Sequence, residues 1–242
     1  MHTGNENKNS QAADPNTLIE RQGSKQVVKY NNITYSMLDD NSIYTHMYWD
    51  FFLPLPLIFD NPRMLLIGLG GGTIPYQMKT VFDGKISIDI VEVNKKMIDI
   101  ASEFLKLDMS QFSIYIEDGA EFVMRKKNSY DIIILDAYIN DRIPKQFLEE
   151  NFIANSYLAL ADRGILAINY AYRFSLFFEY HMYKKRLSKY FNIYALDKEM
   201  KSSNSILLCA KGLTKVGIKS AISSKMQISA ENSFIADAYQ KM

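Results

Sequence analysis

The sequence contains very little cysteine. Its only thiol among 242 residues is Cys209, so no disulfide can close within the chain. This favours a reducing compartment, and we expect a cytoplasmic protein. Residues 1–25 have no apolar core of the kind found in secretory signals, and the apolar run 51–59 carries two prolines and is too short to span a bilayer. No membrane association is therefore predicted.

An excess of charge of one sign is also missing. The chain has 28 basic and 27 acidic residues, a net charge of +1, which gives no electrostatic reason to predict a nucleic-acid partner. His46 and His181 have no cysteine or histidine partner at the spacing of metal ligands, so no metal site is predicted. Hydrophobic residues make up 48% of the chain, which is enough for the core of an α/β domain.

Composition divides the chain into three parts. Residues 1–24 are rich in Asn, Gln, Ser and Lys and are predicted to be a flexible tail. Residues 25–60 contain two β-rich runs on either side of Asn31-Asn32, which predict a small hairpin, and then an aromatic-rich segment, 43–52, which we interpret as a linker helix. Residues 61–242 are predicted to form a Rossmann-like nucleoside-binding domain.

Short apolar runs alternate with segments of helical periodicity in this third part. Continuous apolar runs are typical of parallel strands that are covered on both faces. The last two strands are separated by a short polar stretch and fit an antiparallel hairpin. The predicted fold is α/β, a Rossmann-like doubly wound and mostly parallel sheet that ends in an antiparallel hairpin, with a small N-terminal β-hairpin extension. The predicted strands are 64–67, 86–91, 112–116, 132–135, 165–169, 191–196 and 205–210.

A glycine cluster, 68–72, follows the first strand of this domain and precedes a predicted helix. Glycine permits a tight turn and a close approach of a ligand to the backbone. Glu92 ends the next strand, about twenty residues further on, where a carboxylate accepts hydrogen bonds from ribose hydroxyls. Gly68, Gly70, Gly72 and Glu92 thus predict a nucleoside site. The alternative is a plain glycine turn followed by a solvent-exposed glutamate.

The acids that end the third and fourth strands favour an adenosyl-sulfonium ligand over a dinucleotide. Asp118, Gly119 and Ala120 stand where methyltransferase-like folds place an acid against the adenine amine, although Asp118 is equally suited to cap the following helix. Asp136 lies at the edge where open α/β sheets bind ligands. Thr73 occupies the position where a dinucleotide fingerprint has a small residue, but this does not exclude NAD.

These motifs resemble the spermidine synthase superfamily, the polyamine aminopropyltransferases and their methyltransferase-like relatives. The similar stretches are 66–72, 91–94, 117–120 and 130–138. The resemblance implies S-adenosylmethionine or its decarboxylated form as co-substrate and an aminopropyl or methyl group transferred to an amine-type acceptor, with polyamines among the candidates. It also implies that Asp136 deprotonates or orients the attacking amine, and it is compatible with a homodimer.

Three departures from the superfamily pattern stand out. Gly71 occupies the position of an acid that aminopropyltransferases carry inside the glycine motif, and their Asp-Ser-Ser-Asp-Pro reads here as 136–141 with its second acid missing or shifted to Asp141. Their Tyr-His-Glu has no clear counterpart, although His46 lies near Tyr44 and Tyr48. Since a polyamine is a multiple cation, fewer carboxylates would weaken its binding.

Asp136 and Tyr138 are the predicted catalytic residues. Asp136 is placed to accept a proton from an amine nucleophile, and Tyr138 to orient or stack on the acceptor; packing within the loop is the alternative for Tyr138. Two other classes of function stay open: a non-catalytic member that binds a nucleoside or dimerises, and an NAD-dependent oxidoreductase, for which the sequence shows no acid–base constellation.

Overall fold

The computed structural model describes residues 17–30, 33–105, 108–139, 141–171, 176–196 and 204–242. Two sheets and eight α-helices lie in these ranges. The strands are β1 (Thr17–Gln22), β2 (Lys25–Tyr30), β3 (Ile33–Asp39), β4 (Arg63–Ile67), β5 (Ser87–Val91), β6 (Ser113–Tyr115), β7 (Tyr130–Leu135), β8 (Leu160–Ala171), β9 (Asn192–Ala195) and β10 (Asn204–Ala210). The helices are α1 (Thr73–Phe82), α2 (Lys95–Leu105), α3 (Gly119–Met124), α4 (Lys145–Leu148), α5 (Glu150–Ala159), α6 (Phe177–Leu187), α7 (Lys215–Lys225) and α8 (Ser233–Lys241).

The larger sheet has seven strands in the order β6-β5-β4-β7-β8-β10-β9. The five strands from β6 to β8 pair in parallel, whereas β10 is antiparallel to both of its neighbours. The predicted α/β class and the antiparallel ending are therefore confirmed. Helices cover both faces because the side chains of each central strand alternate between two cores: in β4, Met64 and Leu66 join one core, and Leu65 and Ile67 join the other.

The two cores differ in the helices that supply them. One face of the sheet is covered by α1, α2, α7, α8 and the segment 49–55. The other face is covered by α3, α4, α5 and α6. The stretch after Lys211, whose elements could not be predicted from its weak amphipathicity, thus contributes two helices to the first face. Within the described ranges, no helix combines the length and the apolarity that a membrane span requires.

The smaller sheet corrects the prediction for the N-terminal part. It has three antiparallel strands, β1-β2-β3, where a two-stranded hairpin was expected. The predicted tail 1–24 is wrong from residue 17 onward, because Thr17–Gln22 pairs with β2 and Ile19 packs in a small core against α2. Residues 1–16 and the predicted Asn31-Asn32 turn lie outside the described residues.

The predicted linker helix 43–52 is also wrong in extent. Only a short 3-10 helix, Tyr48–Phe52, forms there, followed by a second, Leu55–Ile58. Pro54 and Pro56 explain the interruption, since proline removes a backbone donor and restricts the residue before it. This segment is nevertheless buried: Phe52 and Leu55 are fully inaccessible to solvent.

Candidate active site

A cavity of about 660 Å³ lies at the carboxyl ends of the parallel strands. This is the edge at which open α/β sheets bind ligands. One wall consists of residues that follow successive strands: Gly68 after β4, Glu92 after β5, Asp118 after β6 and Asp136 after β7. The opposite wall comes from the N-terminal part of the chain, in particular residues of β2 and β3 and the segment 47–49. The structure therefore brings the acids predicted from the sequence into one cavity.

Two glycines of the cluster 68–72 lie so close to other backbone atoms that a side chain would not fit, and both also line the cavity. Gly68 and Gly70 line the cavity and have positive φ angles of 89° and 55°. A Cβ on Gly68 would lie 2.5 Å from the backbone oxygen of Asp136, and one on Gly70 would lie 2.7 Å from the backbone oxygen of Tyr35. Gly72 has a φ of 92°, precedes α1 as its N-cap and does not line the cavity.

The approach of β3 explains why Gly71 is not an aspartate. A Cβ at position 71 would overlap the Cβ of Ser36 on β3. The Ser36 hydroxyl lies 2.5 Å from the hydroxyl of Thr73, which also accepts a hydrogen bond of 3.0 Å from the Met37 amide. The position that carries an acid in the resembled family is thus filled by the strand of the smaller sheet, an effect that the motif alone did not predict.

Backbone amides hold both carboxylate oxygens of Glu92 in place. One carboxylate oxygen accepts a 2.8 Å hydrogen bond from the Leu69 amide in the glycine loop, and the other accepts one of 2.8 Å from the Asn94 amide. The side chain is buried, and burial raises its pKa despite these donors. The backbone amides of Val93 and Gly70 also lower its pKa, and the carboxylate lines the cavity, where its oxygens can accept from ligand hydroxyls.

Asp118 has the capping role that the sequence left as an alternative. One oxygen accepts hydrogen bonds from the amides of Ala120, at 2.8 Å, and Glu121, at 3.2 Å, at the start of α3. The other accepts a 2.9 Å bond from the side chain of Gln146. Asp118 and Gly119 line the cavity, whereas Ala120 serves as a donor to the cap and is not part of the lining.

Asp136 is partly buried and lines the cavity. It accepts hydrogen bonds from the side-chain amide of Asn169, at 2.8 Å, and from the hydroxyl of Tyr48, at 3.3 Å. Burial raises its pKa to about 7, although Asn169, Tyr48 and Trp49 each lower it. A carboxylate with this pKa exists in both protonation states near neutral pH, which suits a group that accepts a proton.

Tyr138 lines the cavity, but its hydroxyl is engaged with β8. It donates a 2.7 Å hydrogen bond to the backbone oxygen of Asn169 and accepts one of 2.9 Å from the Ala171 amide. Burial raises its pKa well above the ordinary value, so it stays protonated. The hydroxyl contacts favour the packing alternative, because the group that would orient an acceptor already has two backbone partners.

The sequence analysis missed Tyr48 and Asn169. Asn169 lies inside β8 without any motif around it, so no local signal marks it. Tyr48 does have a signal: Tyr48-Trp49-Asp50 keeps the order of tyrosine, one residue and an acid found in the family's Tyr-His-Glu. The structure supports this reading over one centred on His46, because Tyr48 contacts Asp136 and Asp50 is fully buried.

The charged residues of the cavity lining all have the same sign. Among the described residues that line the cavity there is no lysine, arginine or histidine. The acids are Glu92, Glu117, Asp118, Asp136 and Asp141, of which Glu117 pairs with Arg125 outside the lining. Aromatic side chains, including Tyr35, Tyr48 and Trp49, stand between them. Such a cavity favours a cationic ligand, since carboxylates and aromatic faces both attract positive charge.

Comparison with known proteins agrees with this geometry. The family model described as "Spermine/spermidine synthase domain" matches residues 25–196, more than two thirds of the chain. The chain belongs to this family. A polyamine aminopropyltransferase of Alkaliphilus oremlandii is a relative, 35% identical over 129 residues, which is 50% of this chain and 44% of the relative. This chain thus spans less than half the length of that relative.

Solved structures of family members share the fold. A probable spermidine synthase from Corynebacterium glutamicum superposes with a TM-score of 0.71 at 16% identity, over 92% of this chain and 82% of its own. A spermidine synthase in complex with the transition state analogue AdoDATO gives a TM-score of 0.66 at 19% identity, over 96% of this chain and 87% of its own. At such identities the likeness shows the architecture of the spermine/spermidine synthase family and nothing finer.

Proposed function

We propose that this protein transfers an aminopropyl group from decarboxylated S-adenosylmethionine to an amine acceptor of the polyamine class. The observation that carries the proposal is the charge of the cavity lining, which is acidic at five positions and has no basic side chain among the described residues. Family membership supports the same activity, since the Alkaliphilus relative is named a polyamine aminopropyltransferase.

The charge pattern favours the decarboxylated donor over S-adenosylmethionine. Both molecules carry a sulfonium cation, but S-adenosylmethionine also carries a carboxylate. That carboxylate would be repelled by these acids and would have no cationic partner among the described lining residues. The decarboxylated form presents only a sulfonium and an ammonium, and both are attracted by the lining.

The nucleoside end of the donor is assigned to Glu92 and Asp118. Glu92 is held rigidly by the amides of Leu69 and Asn94, so its carboxylate is preorganised in the cavity to accept hydrogen bonds from the two ribose hydroxyls. Asp118, held by its cap and by Gln146, accepts from the adenine amine. Gly68 and Gly70 leave room for the sulfur-bearing part of the ligand.

Asp136 acts on the acceptor. An alkylamine is protonated in neutral solution and must lose a proton before its nitrogen lone pair can attack. In the proposed step the nitrogen bonds to the aminopropyl carbon, the carbon–sulfur bond breaks with its electron pair left on sulfur, and the amine proton passes to Asp136. The Tyr48 and Asn169 donors keep the Asp136 carboxylate aimed at the cavity.

Calorimetry with the two donors tests the proposal directly. We expect decarboxylated S-adenosylmethionine to bind more tightly than S-adenosylmethionine, and a panel of diamines added with it to yield aminopropylated products detectable by mass spectrometry. Asp136→Asn should bind the donor but form no product. Tighter binding of S-adenosylmethionine would point to methyl transfer, and binding of neither compound would indicate a non-catalytic member.

A further inference from the structure

Helix α8 lies outside the part of the chain that matches the family model, yet it packs against the cavity wall. The model match ends at residue 196, whereas α8 spans Ser233–Lys241. Ile235, Ala238 and Tyr239 on this helix are almost fully buried in the core that also contains Trp49, Phe51 and Phe52. We refer to residues 44–52 as the aromatic segment.

Three contacts connect α8 and its N-cap to the aromatic segment. The Tyr239 hydroxyl donates a 2.7 Å hydrogen bond to the backbone oxygen of Phe51. The ring of Phe234 lies 5.7 Å from the ring of Phe51, edge to face, and 5.0 Å from that of His46. The N-cap residue, Asn232, donates a 3.0 Å hydrogen bond to the hydroxyl of Tyr44. These contacts reach both ends of the aromatic segment.

The buried carboxylate of Asp50 also holds the aromatic segment in place. Asp50 accepts hydrogen bonds from the amides of Thr45 (3.0 Å) and His46 (2.7 Å) and from the Thr45 hydroxyl (2.9 Å). Its fourth donor is the side chain of Gln77 on α1, at 2.6 Å. His46 has a positive φ of 58°, a conformation that a non-glycine residue adopts only when its surroundings enforce it.

The middle of the aromatic segment forms part of the cavity. Met47, Tyr48 and Trp49 line it, and Tyr48 donates to Asp136. The Tyr48–Asp136 distance of 3.3 Å leaves this bond sensitive to small displacements, because it already exceeds the usual range of about 2.5–3.0 Å for a hydroxyl donor.

We infer that α8 is a positioning element for the acceptor side of the site, and that Tyr239 and Phe234 set the place of Tyr48 and Trp49 by holding the backbone of the aromatic segment. Asp50 and Gln77 fix that segment to α1, and α8 with its N-cap contacts it at Tyr44, His46 and Phe51. The expected effect of α8 on turnover rests on the proposed function. Its expected effect on the surroundings of Trp49 depends only on the packing described above.

The single tryptophan of the chain makes the structural consequence measurable. Trp49 is 2% exposed, so its emission should be blue-shifted and poorly quenched by acrylamide. In Tyr239→Phe we expect a red shift and a larger quenching constant under conditions where circular dichroism shows a folded protein. Phe234→Leu, which keeps an apolar side chain but loses both ring contacts, should do the same and serves if Tyr239→Phe does not fold.

Tyr183→Phe is a matched control. Tyr183 is also a buried helical tyrosine, and its hydroxyl donates a 3.1 Å bond to a backbone oxygen, that of Phe147 in the opposite core. This variant should lose a comparable hydrogen bond while the emission and quenching of Trp49 stay as in the wild type. Wild-type Trp49 behaviour in both α8 variants would overturn the inference, whether or not the enzyme turns over.

Kinetics add a second readout if the proposed activity is present. Tyr239→Phe should lower kcat/KM about tenfold, the equivalent of one hydrogen bond. It should also move the acidic limb of the pH profile upward, as should Tyr48→Phe, because in both variants the Tyr48 hydrogen bond to the Asp136 carboxylate is weakened or lost. A role confined to stability would lower the melting temperature and leave the midpoint of the pH profile unchanged.

Discussion

Replacing Asp136 with asparagine should stabilise the protein while abolishing its activity. The carboxyl has an ordinary pKa of 3.8 and a pKa of about 7 in the folded protein. The folded state therefore holds a proton that the unfolded state releases between these two values. Stability contributed by this group is present at low pH and is lost as the pH rises from about 4 to about 7.

The size of the effect follows from the shift. Three pKa units at about 1.4 kcal/mol each give a loss of about 4 kcal/mol in the free energy of unfolding of the wild type between these pH values. Asparagine has nearly the same shape as aspartate and does not titrate. Its amide oxygen can accept from Asn169 and its amide nitrogen can donate to the Tyr48 oxygen, so these two of the three side-chain partners are kept.

Urea denaturation at a series of pH values from 4 to 8.5 measures this difference without any ligand. We expect wild type and Asp136→Asn to have similar free energies of unfolding near pH 4. Above pH 7 the variant should be more stable by up to about 4 kcal/mol. Glu92 and Asp50, whose pKa values are also raised by burial, contribute to the pH dependence of stability in both proteins. Their contributions therefore cancel in the difference between wild type and variant.

A constant difference between the two proteins across this pH range would refute the reasoning. It would mean that Asp136 titrates alike in the folded and unfolded chains and is not desolvated. The activity assay is a separate check: the wild-type kcat/KM should rise with pH through about 7 as the carboxyl loses its proton. Asp136→Asn should lower kcat below detection, that is by at least about a hundredfold, since it removes the proton acceptor.

Substitutions at Gly71 and Tyr138 give the remaining predictions. Gly71→Asp restores the acid of the family motif, but we expect it to destabilise the protein, because any Cβ at this position overlaps that of Ser36. For the same reason Gly71→Ala should lower the free energy of unfolding by about 1–3 kcal/mol. Urea denaturation measures both effects, and wild-type stability of either variant would contradict the steric account. Tyr138→Phe removes the hydrogen bonds of the hydroxyl to the Asn169 oxygen and from the Ala171 amide. It should lower the free energy of unfolding by about 1–3 kcal/mol, measured by thermal or urea unfolding, and leave the pH midpoint of activity almost unchanged. A large shift of that midpoint would instead indicate a direct role in catalysis.

Much of the fold was predictable because its central strands are buried on both faces. The continuous apolar runs 64–67 and 132–135 correspond to β4 and β7, and Glu92 and Asp136 follow their strands as expected. The strand β1 was missed because it lies at the edge of its sheet and exposes several polar side chains. Leu18 and Ile19 are its only apolar residues, and one such pair is too short to predict a strand.

The parts of the site that were not predicted depend on partners remote in sequence. The need for glycine at positions 70 and 71 follows from the position of β3, which no local pattern encodes. The helices α7 and α8 bury their apolar residues against the segment 49–58, so their own periodicity gave little indication of where they pack. The cytoplasmic location and the homodimer stay predictions.

The hydrogen bond between Tyr239 and Phe51 joins residues 188 positions apart in the chain. Chains are synthesised from the N-terminus, and their domains begin to fold as they emerge. The parallel strands and the glycine loop are thus available long before residue 239 has been made. A ribosome-bound chain ending shortly before α8 would already carry the nucleoside half of the cavity but would lack the contacts that complete the acceptor half. Competence to bind the donor should therefore precede competence to react during biosynthesis.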